Sequence, residues 1–322
     1  MAGRSQVHQT GHVARDDRTA FVTGAAGFIG AELVKVLVAR GYQVFALARS
    51  VESTRRLRDT GATAIRGDLL VPGQWQDEAA ADWVFHIPPC APARRPRRRA
   101  ARIAHRRVMM DMHLLDALAA GATRRIVYVA DSRCFGPTGS RPVTEDELPL
   151  PAARARCLMP ALDRLDGYMI AGLPIVTALP GCVYGNASWF RERVVDPVMA
   201  GRRVLQVGNA GPWVSPIHVH DCARALVHLA ERGEVGSRYF LANNEPIQRH
   251  EFAQAFARMA NRPLRVWRVP AATAGLLAGR LRADYGQDDL AFSNIRLRGI
   301  GFRFRYPTIE EGIEQVLGAL HE

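Results

Sequence analysis

The sequence predicts an α/β fold in which a doubly wound, parallel Rossmann-type sheet carries a smaller, mostly helical C-terminal substrate region. Two observations support this prediction. Short apolar strands alternate with helix-length segments through the first half of the chain, and a glycine-rich turn joins the first strand to the first helix. Strands that alternate with helices form βαβ units, which build parallel sheets covered by helices on both faces.

The elements can be placed in order along the chain. The first strand covers 19–23 and leads through the glycine turn into a helix in which Ile29, Leu33, Val36 and Leu37 recur at helical spacing. Five further strands follow at 42–48, 63–68, 81–87, 124–131 and 173–180. Beyond them the strands shorten, and helices are expected at 189–200, 250–261, 270–282 and 308–320.

This order divides the chain into three parts. We expect a polar tail over 1–18, a dinucleotide-binding Rossmann domain over 19–180 and a smaller substrate-binding region over 181–322. Within the last part, about residues 217–242 are expected to return to the core.

Composition limits the compartment of the protein. Hydrophobic residues make up 48% of the 322 residues, yet no apolar run reaches the roughly 18 residues of a membrane-spanning helix. The five cysteines are scattered without a Cys-x-x-Cys pair, which is typical of free thiols in a reducing compartment. The N-terminus lacks the apolar segment of a secretory signal. These features predict a cytoplasmic protein with no membrane contact.

The chain carries a net charge of +12, and Lys35 is the only lysine among its 43 basic residues. Such a charge favours anionic ligands. The densest run, 94–107, holds eight arginines and has three interpretations: a solvated loop and helix start, an anion site at the substrate mouth for a phosphopantetheine, CoA or carboxylate group, or a nucleic-acid contact. The run has no interleaved aromatic residues and no recognisable nucleic-acid module, so nucleic acid is the least favoured partner. We expect a small-molecule substrate, with an anionic one as an option.

Gly24, Gly27 and Gly30 form a G-x-x-G-x-x-G pattern between the first strand and its helix. Glycine lets the backbone turn tightly there, and the free N–H groups of the helix's first turn can bind a pyrophosphate. The pattern therefore predicts a dinucleotide site. Its candidate cofactor-binding residues are Gly24, Ala26, Gly27, Phe28, Ile29, Gly30, Arg49, Asp68, Leu69 and Pro180.

The end of the second strand indicates which dinucleotide binds. NAD-selective sites usually place an acidic residue there to bind the ribose hydroxyls, whereas this strand ends in Leu47-Ala48-Arg49. A guanidinium can bind a 2′-phosphate in a bidentate manner, so NADP is predicted over NAD. Asp68, after the third strand, is expected near the adenine. The alternatives are that Arg49 is a solvated loop arginine and that Asp68 only forms a turn.

Several motifs occur in the order found in one large family. TGAAGFIG matches TGxxGxxG, RGDL a third-strand motif and DWVFHIPP the D-x-V-F-H-x-A-A segment, while GCVYG, IHVHDCARAL and GFRFRYPTIEEGI resemble segments further along. From about Ala20 to its C-terminus the chain thus resembles the extended short-chain dehydrogenase/reductase family. The resemblance implies NAD(P)-dependent chemistry of the epimerase, dehydratase or reductase type. It also implies a homodimer as an option, because many relatives dimerise through their fourth and fifth crossover helices.

The family's catalytic set is missing from this sequence. Family members use a Ser or Thr after the fifth strand and a Tyr-x-x-x-Lys motif, and these positions fall on Asp131, Ala155 and Met159. Because Lys35 lies on the first crossover helix, no alignment can supply the motif's lysine.

Other positions also depart from the family pattern. The family's asparagine on the fourth helix falls on Arg107, and the arginine that often binds sugar-nucleotide phosphates falls on Val214, which argues against a nucleotide-sugar substrate. His218-x-His220-Asp221 has the spacing of a metal half-site, but the resemblance makes it a helix-entry turn, so no metal is predicted.

Asp131, Ser132 and His86 are the candidate catalytic residues. Asp131 and His86 lie at the ends of neighbouring strands, where an acid and a base could perform a cyclisation, isomerisation or elimination without redox chemistry. Equally, Asp131 could cap the following turn and His86 could be a structural histidine. Two hypotheses stay open: an enzyme with a non-standard active site that acts on a small molecule, and a non-catalytic protein that senses the dinucleotide or supports a partner.

Overall fold

A computed structural model describes residues 18–89, 97–119, 121–152, 155–208, 211–270 and 289–320. The strands of this part of the chain are β1 (Thr19–Thr23), β2 (Gln43–Ala48), β3 (Thr63–Arg66), β4 (Trp83–His86), β5 (Arg125–Val129), β6 (Ile175–Pro180), β7 (Cys182–Tyr184), β8 (Val204–Val207), β9 (Trp213–Val214), β10 (Pro216–His218), β11 (Arg238–Leu241), β12 (Ile247–Gln248) and β13 (Val266–Val269).

Seven of these strands form a central sheet in the order β3-β2-β1-β4-β5-β6-β11, and every pair in it is parallel. The predicted doubly wound Rossmann-type sheet is therefore confirmed. The strand order changes direction between β1 and β4, which places Thr23 beside His86 at the carboxyl ends of the two strands. In open α/β sheets this point is where a crevice for ligands forms.

The helices are α1 (Phe28–Ala39), α2 (Val51–Arg58), α3 (Trp75–Glu78), α4 (Arg97–Leu118), α5 (Met159–Ile170), α6 (Asp196–Met199), α7 (Val219–Arg232), α8 (Arg249–Met259), α9 (Ile295–Gly299) and α10 (Ile309–Gly318). Local signals explain where several of them begin. Ser50 and Thr308 cap α2 and α10 by accepting bonds from the third residue of each helix, which satisfies an otherwise unpaired N–H group.

Two apolar layers cover the sheet. On one face, α1 and α7 bury side chains such as Leu33 and Leu226 in a core that includes Val22 and Val127. On the other face, α4 and α5 bury Leu114, Leu115, Leu162 and Leu165 against the alternate side chains of the same strands. Alternation of side chains across each parallel strand therefore fills both layers.

The second region has a core of its own. Tyr184, Phe190, Phe252 and Phe256 make edge-to-face contacts within it, and three two-stranded ladders, β10 with β7, β12 with β9 and β13 with β8, accompany the helices. The helix expected at 189–200 includes a π-helical turn, Arg191–Val195, that continues into α6. Residues 271–282 of the helix expected at 270–282 lie outside the described residues, as do residues 1–17 of the predicted tail.

Part of the C-terminal half returns to the central sheet. The helix α7 packs along α1, and β11 extends the sheet beyond β6. The last strand of the seven-stranded sheet therefore comes from a part of the chain that lies after β7 and β10.

Candidate active site

The glycine turn closes tightly against the neighbouring strand. Gly24 has a φ of +67°, and a Cβ atom there would lie 1.9 Å from the carbonyl oxygen of Ile87. A Cβ atom on Gly30 would lie 2.2 Å from the carbonyl oxygen of Gly24. Gly27, the N-cap of α1, offers no side-chain acceptor to the first N–H groups of that helix. This cradle suits the pyrophosphate of a dinucleotide, which needs a close backbone approach and open N–H donors.

The other residues predicted for the turn surround this cradle. Ala26, Phe28 and Ile29 are half-buried, and the Phe28 ring lies beside Gly185, where an added Cβ atom would approach it to 3.3 Å. The start of α1 therefore borders the loop that follows β7. The roles of these residues in cofactor binding stay predictions.

The remaining predicted cofactor residues lie at three strand ends. Arg49 is exposed directly after β2, at the position that would face the ribose. Asp68 is half-buried and its Oδ1 accepts a 3.0 Å hydrogen bond from the Leu70 N–H, so this carboxylate does form a turn. Leu69 is buried, and Pro180 is the last residue of β6.

A small cavity lies at the carboxyl end of β5, between α4 and α5. Arg107, Tyr128 and Asp131 are its charged or hydroxyl-bearing lining residues, and most of the remaining lining is apolar. Pro89 also lines it, two residues beyond the Ile87 carbonyl that Gly24 approaches. The cavity therefore adjoins the crevice that the glycine turn borders.

Asp131 lies at this cavity but does not project freely. Its carboxylate accepts bonds from the Arg133 backbone N–H at 3.1 Å and from Arg133 Nε at 2.8 Å, and a second guanidinium nitrogen pairs with its other oxygen. The Asp131 side chain is 9% exposed and caps the 3₁₀ turn Ser132–Phe135. The capping alternative is thus observed, and the cavity position leaves a catalytic role open.

Ser132 and His86 are engaged elsewhere. The Ser132 hydroxyl donates a 2.7 Å bond to the Pro180 carbonyl and so ties the chain after β5 to the end of β6. His86 is 0% exposed; its Nδ1 lies 2.8 Å from Thr23 Oγ1 and its Nε2 lies 2.8 Å from Asp111 Oδ1. Because a carboxylate only accepts hydrogen bonds, Nε2 carries the proton in this arrangement. The structure does not bring His86 into the cavity beside Asp131.

His86 instead begins a buried polar network that reaches the cavity wall. The Asp111 carboxylate also accepts bonds from Arg107 Nε, at 3.0 and 3.1 Å, and from the Tyr128 hydroxyl at 2.7 Å. Arg107 Nη2 donates to the Tyr128 hydroxyl at 2.7 Å and to the Val129 carbonyl at 3.0 Å. Four side chains from β4, α4 and β5 thus form one connected cluster, which we call the Asp111 network: His86, Arg107, Asp111 and Tyr128.

Burial and pairing fix the charges of the Asp111 network. Burial lowers the pKa of His86 and raises the pKa of Tyr128, so both side chains are neutral at neutral pH. Burial opposes ionisation of Asp111, but the Arg107 guanidinium and the hydrogen bonds from His86 and Tyr128 hold the pKa of this carboxyl below its usual range. The network therefore contains one cation and one anion, in contact with each other.

The positions predicted to match the family's tyrosine and lysine are apolar and packed. Ala155 is buried beside a short 3₁₀ turn, and Met159 packs against the core layer of α4 and α5. Lys35 lies on α1 with 63% of its side chain exposed, and its ammonium group bonds Glu32 at 3.3 Å. The lysine of this chain therefore holds a surface ion pair.

The His218-x-His220-Asp221 motif organises the second region. His218 is the N-cap of α7 through a 3.3 Å bond from the His220 N–H to its Nδ1. Asp221 is fully buried and accepts the backbone N–H groups of Arg305 and Tyr306 at 2.7 to 3.0 Å. Among the described residues, no group of three or more His, Cys, Asp or Glu side chains is placed to hold a metal ion.

Sequence reasoning missed Asp111 and Tyr128, which complete the network around Arg107. One signal was available: Arg107 and Asp111 stand four residues apart on one helix, a spacing at which opposite charges pair. No helix in the described ranges is long and apolar enough to cross a membrane.

Comparison with known proteins agrees with the fold. The family model described as the NAD dependent epimerase/dehydratase family matches residues 20–242. Dihydroflavonol 4-reductase of Zea mays is 26% identical, with 98% of this chain and 91% of the relative covered. A ketoreductase of Stigmatella aurantiaca, which acts on 4-hydroxy-2-methyl-3-oxo-4-farnesyl-3,4-dihydroquinoline-1-oxide, is 27% identical over 72% of this chain and 70% of its own length.

A solved structure has a similar fold over nearly the whole length. The UDP-glucuronic acid 4-epimerase of Bacillus cereus, in complex with UDP-glucuronic acid and NAD, superposes with a TM-score of 0.79 at 17% identity. The alignment covers 94% of this chain and 99% of the epimerase.

Proposed function

Because the chain belongs to the NAD dependent epimerase/dehydratase family, we propose that it is an NAD(P)-dependent enzyme that converts a small molecule in the cavity at the end of β5. The reaction is of the reductase or epimerase type, with a non-standard acid and base group. One observation supports this proposal most directly: the glycine turn packs against Ile87, and Pro89, two residues further along the chain, lines the cavity.

The residues of the cavity would divide the work as follows. A nicotinamide held at the glycine turn would supply or accept a hydride. Asp131, a carboxylate on the cavity wall, takes or returns the proton, and Arg133 fixes its orientation. Ser132 holds the β5 and β6 ends together, and His86 orients Asp111, so both act as positioning residues. If no hydride is transferred, the same carboxylate supports an elimination or isomerisation.

The family's usual substrates need not apply to this chain. The relatives by sequence are a dihydroflavonol 4-reductase and a ketoreductase of a farnesyl dihydroquinoline-1-oxide, and a relative by fold binds UDP-glucuronic acid. Arg49 at the end of β2 supports a preference for NADP(H), since an exposed guanidinium can pair with the 2′-phosphate.

Two titrations test the cofactor assignment. Nicotinamide fluorescence should report a tighter dissociation constant for NADPH than for NADH at fixed salt. Arg49→Ala should weaken NADPH by about 10- to 100-fold, the loss of one charge-assisted phosphate contact, and change NADH by less than about threefold. Arg58→Ala, which removes an exposed arginine from the far end of α2, is the matched control. Tighter NADH binding that Arg49→Ala leaves unchanged would contradict the NADP preference.

A substrate screen tests the chemistry. Ketones, alcohols and sugar nucleotides are incubated with the full chain and either dinucleotide, and nicotinamide absorbance is followed. Asp131→Asn should lower kcat by about 100-fold or more with cofactor affinity within about threefold. An active enzyme that Asp131→Asn leaves unaffected would move the proton transfer to another residue.

A second function is favoured by the apolar residues at the family's catalytic positions. Ala155 and Met159 cannot donate a proton or lower a phenol's pKa, and Lys35 is on the surface. A protein that binds the dinucleotide as a sensor or as support for a partner needs neither. Tight cofactor binding without turnover of any compound in the screen would select this function.

A further inference from the structure

A groove of about 450 Å³ opens on the surface where α9 ends, and we call it the α9 groove. Its described lining residues are Ile295, Arg298, Gly299, Gly301, Phe302 and Arg303. The turn at its floor carries two glycines, and a Cβ atom added to Gly299 or Gly301 would meet no atom within 4 Å. The space above this turn is therefore open and large enough for a small ligand.

The turn at the floor of the groove is held in place from both sides. Leu297, before the turn, is fully buried, and Phe302, after it, is 6% exposed. The Gly301 N–H donates a 2.9 Å bond back to the last turn of α9, and His228 Nε2 lies 3.0 Å from the Ile300 carbonyl oxygen. The groove is thus formed before a ligand binds, which removes the cost of ordering it.

Two arginines of the groove are available to a ligand. Arg298 and Arg303 are both exposed, and within the described ranges neither guanidinium forms a hydrogen bond or an ion pair. No carboxylate is among the described lining residues. Arg296, their neighbour on α9, differs because it pairs with Asp146. The groove therefore presents two cations that are not neutralised, and each has N–H donors in the planar arrangement that matches phosphate oxygens.

The α9 groove and the glycine turn lie toward opposite ends of the parallel strands. Asn294, just before α9, donates to the carbonyl of Ala242, just after β11, while Arg296 Nη1 donates to the carbonyl of Arg238, the first residue of β11. The end of α9 thus points toward the amino ends of the strands, whereas the glycine turn follows the carboxyl end of β1. A ligand of the groove would not be the dinucleotide.

Charge and shape indicate the class of ligand. A phosphate monoester carries a charge of about −1.5 to −2 at neutral pH, which two guanidiniums can neutralise, whereas a carboxylate or a sulfonate carries a single charge. Ile295, 72% exposed, gives the organic part of such a ligand an apolar surface. We propose that the α9 groove is a second binding site, which holds a phosphate monoester with its phosphate on Arg298 and Arg303 and its organic group on Ile295.

Calorimetry with three anions tests the proposal. Phenyl phosphate, inorganic phosphate and benzenesulfonate are each titrated into the full chain at low salt, with NADPH in excess so that the dinucleotide site is filled. Phenyl phosphate should bind with a dissociation constant below about 1 mM, and benzenesulfonate, which has a similar shape and one charge, at least about tenfold more weakly. Inorganic phosphate should bind at least about threefold more weakly than phenyl phosphate, because it makes no contact with Ile295.

Variants of the groove then locate the binding. Arg298→Gln combined with Arg303→Gln should weaken phenyl phosphate by about tenfold or more. Gly299→Glu, which places a carboxylate in the open space of the groove, should have an effect of the same size, whereas Gly299→Gln, its uncharged equivalent, should stay within about threefold. Arg262→Gln removes an exposed arginine beyond the end of α8 and is the matched control for net charge.

Each contrary result overturns a stated part of the proposal. Absence of saturable phenyl phosphate binding, equal affinity for benzenesulfonate, or an equal loss in Arg262→Gln would refute a phosphate site in this groove. Inorganic phosphate that binds as tightly as phenyl phosphate would remove Ile295 from the site. All the substituted residues are exposed, and unchanged melting curves check that the variants are folded. A loss of NADPH affinity beyond about threefold in the double arginine variant would contradict the separation of the two sites.

Discussion

Replacement of His218 by Gln should make the protein less sensitive to acid. His218 ends β10, caps α7 and is 3% exposed. Its Nδ1 accepts the His220 N–H at 3.3 Å, and its Nε2 lies 3.1 Å from the side-chain oxygen of Gln315 on α10. Protonation of Nδ1 would set a new N–H against the His220 N–H. A neutral imidazole therefore holds the junction of three elements.

The magnitude follows from the shifted titration of this side chain. Burial lowers the pKa of His218 from 6.5 to about 4. In this range the unfolded chain binds a proton that the folded protein does not bind, so stability is fully present above pH 6.5 and falls as the pH is lowered toward 4. One such group changes the free energy of unfolding by about 1.4 kcal/mol per pH unit, or about 3 kcal/mol across the window.

Chemical denaturation at several pH values between 7.5 and 4 measures this slope. His218→Gln should lower the slope by about 1.4 kcal/mol per pH unit against the wild type. The wild-type slope also contains His86, because burial lowers the pKa of that imidazole, so only the difference between the two proteins reports on His218. Gln315→Leu is the matched control, because it removes the hydrogen-bond partner and keeps the buried imidazole.

Equal slopes for His218→Gln and the wild type would refute this reasoning. A Gln315→Leu variant as flat as His218→Gln would do so as well, since it would assign the pH dependence to the hydrogen bond rather than to the burial of a titrating ring.

Three other predictions follow from single contacts. Gly30→Ala should weaken dinucleotide binding by at least about tenfold, measured by nicotinamide fluorescence, because its methyl group would overlap the Gly24 carbonyl. Titration of the native protein with a disulfide reagent at neutral pH should modify the half-buried Cys157 faster than Cys134, since burial raises the pKa of Cys134 to about 12; faster reaction of Cys134 would contradict that burial. Asp221→Ala should lower the free energy of unfolding by about 3 to 5 kcal/mol, because the Arg224 guanidinium and the backbone N–H groups of Arg305 and Tyr306 lose their acceptor. A loss below about 1 kcal/mol would show that other contacts hold the C-terminal segment.

The central sheet could be predicted because its signals are local. Each strand is a short apolar run, and the glycine turn after β1 has a spacing that few other structures need. The observed strands end within three residues of the predicted ones, as the alternation of strand and helix leaves their cores unambiguous. The short ladders of the second region have only two to four residues in each strand, too few to show a hydrophobic period. Their pairing could therefore not be predicted from the sequence.

The candidate site was only partly predictable because its partners are distant in sequence. Asp131 was identified because it falls at the family's Ser or Thr position after β5, and its cap on the following turn is a local bond that Asp often makes. The burial of His86, in contrast, depends on Asp111, 25 residues further along, and on Thr23, 63 residues earlier. No pattern within β4 indicates that its last side chain points into a polar network rather than toward a ligand.

The net charge of the chain and the pairing of its buried arginine Arg107 are set by different parts of the molecule, which is why the first did not predict the second. The excess of arginine gives the chain +12, and much of that charge lies on exposed side chains such as Arg49 and Arg58. A charge on the surface is solvated and acts over about 10 Å, as a field that concentrates anions near the protein. A charge on a cavity wall is desolvated, and it persists there only with a partner in contact, which is the role of Asp111 toward Arg107. An arginine-rich protein can therefore attract anions to its surface and still hold a buried arginine in a neutral ion pair.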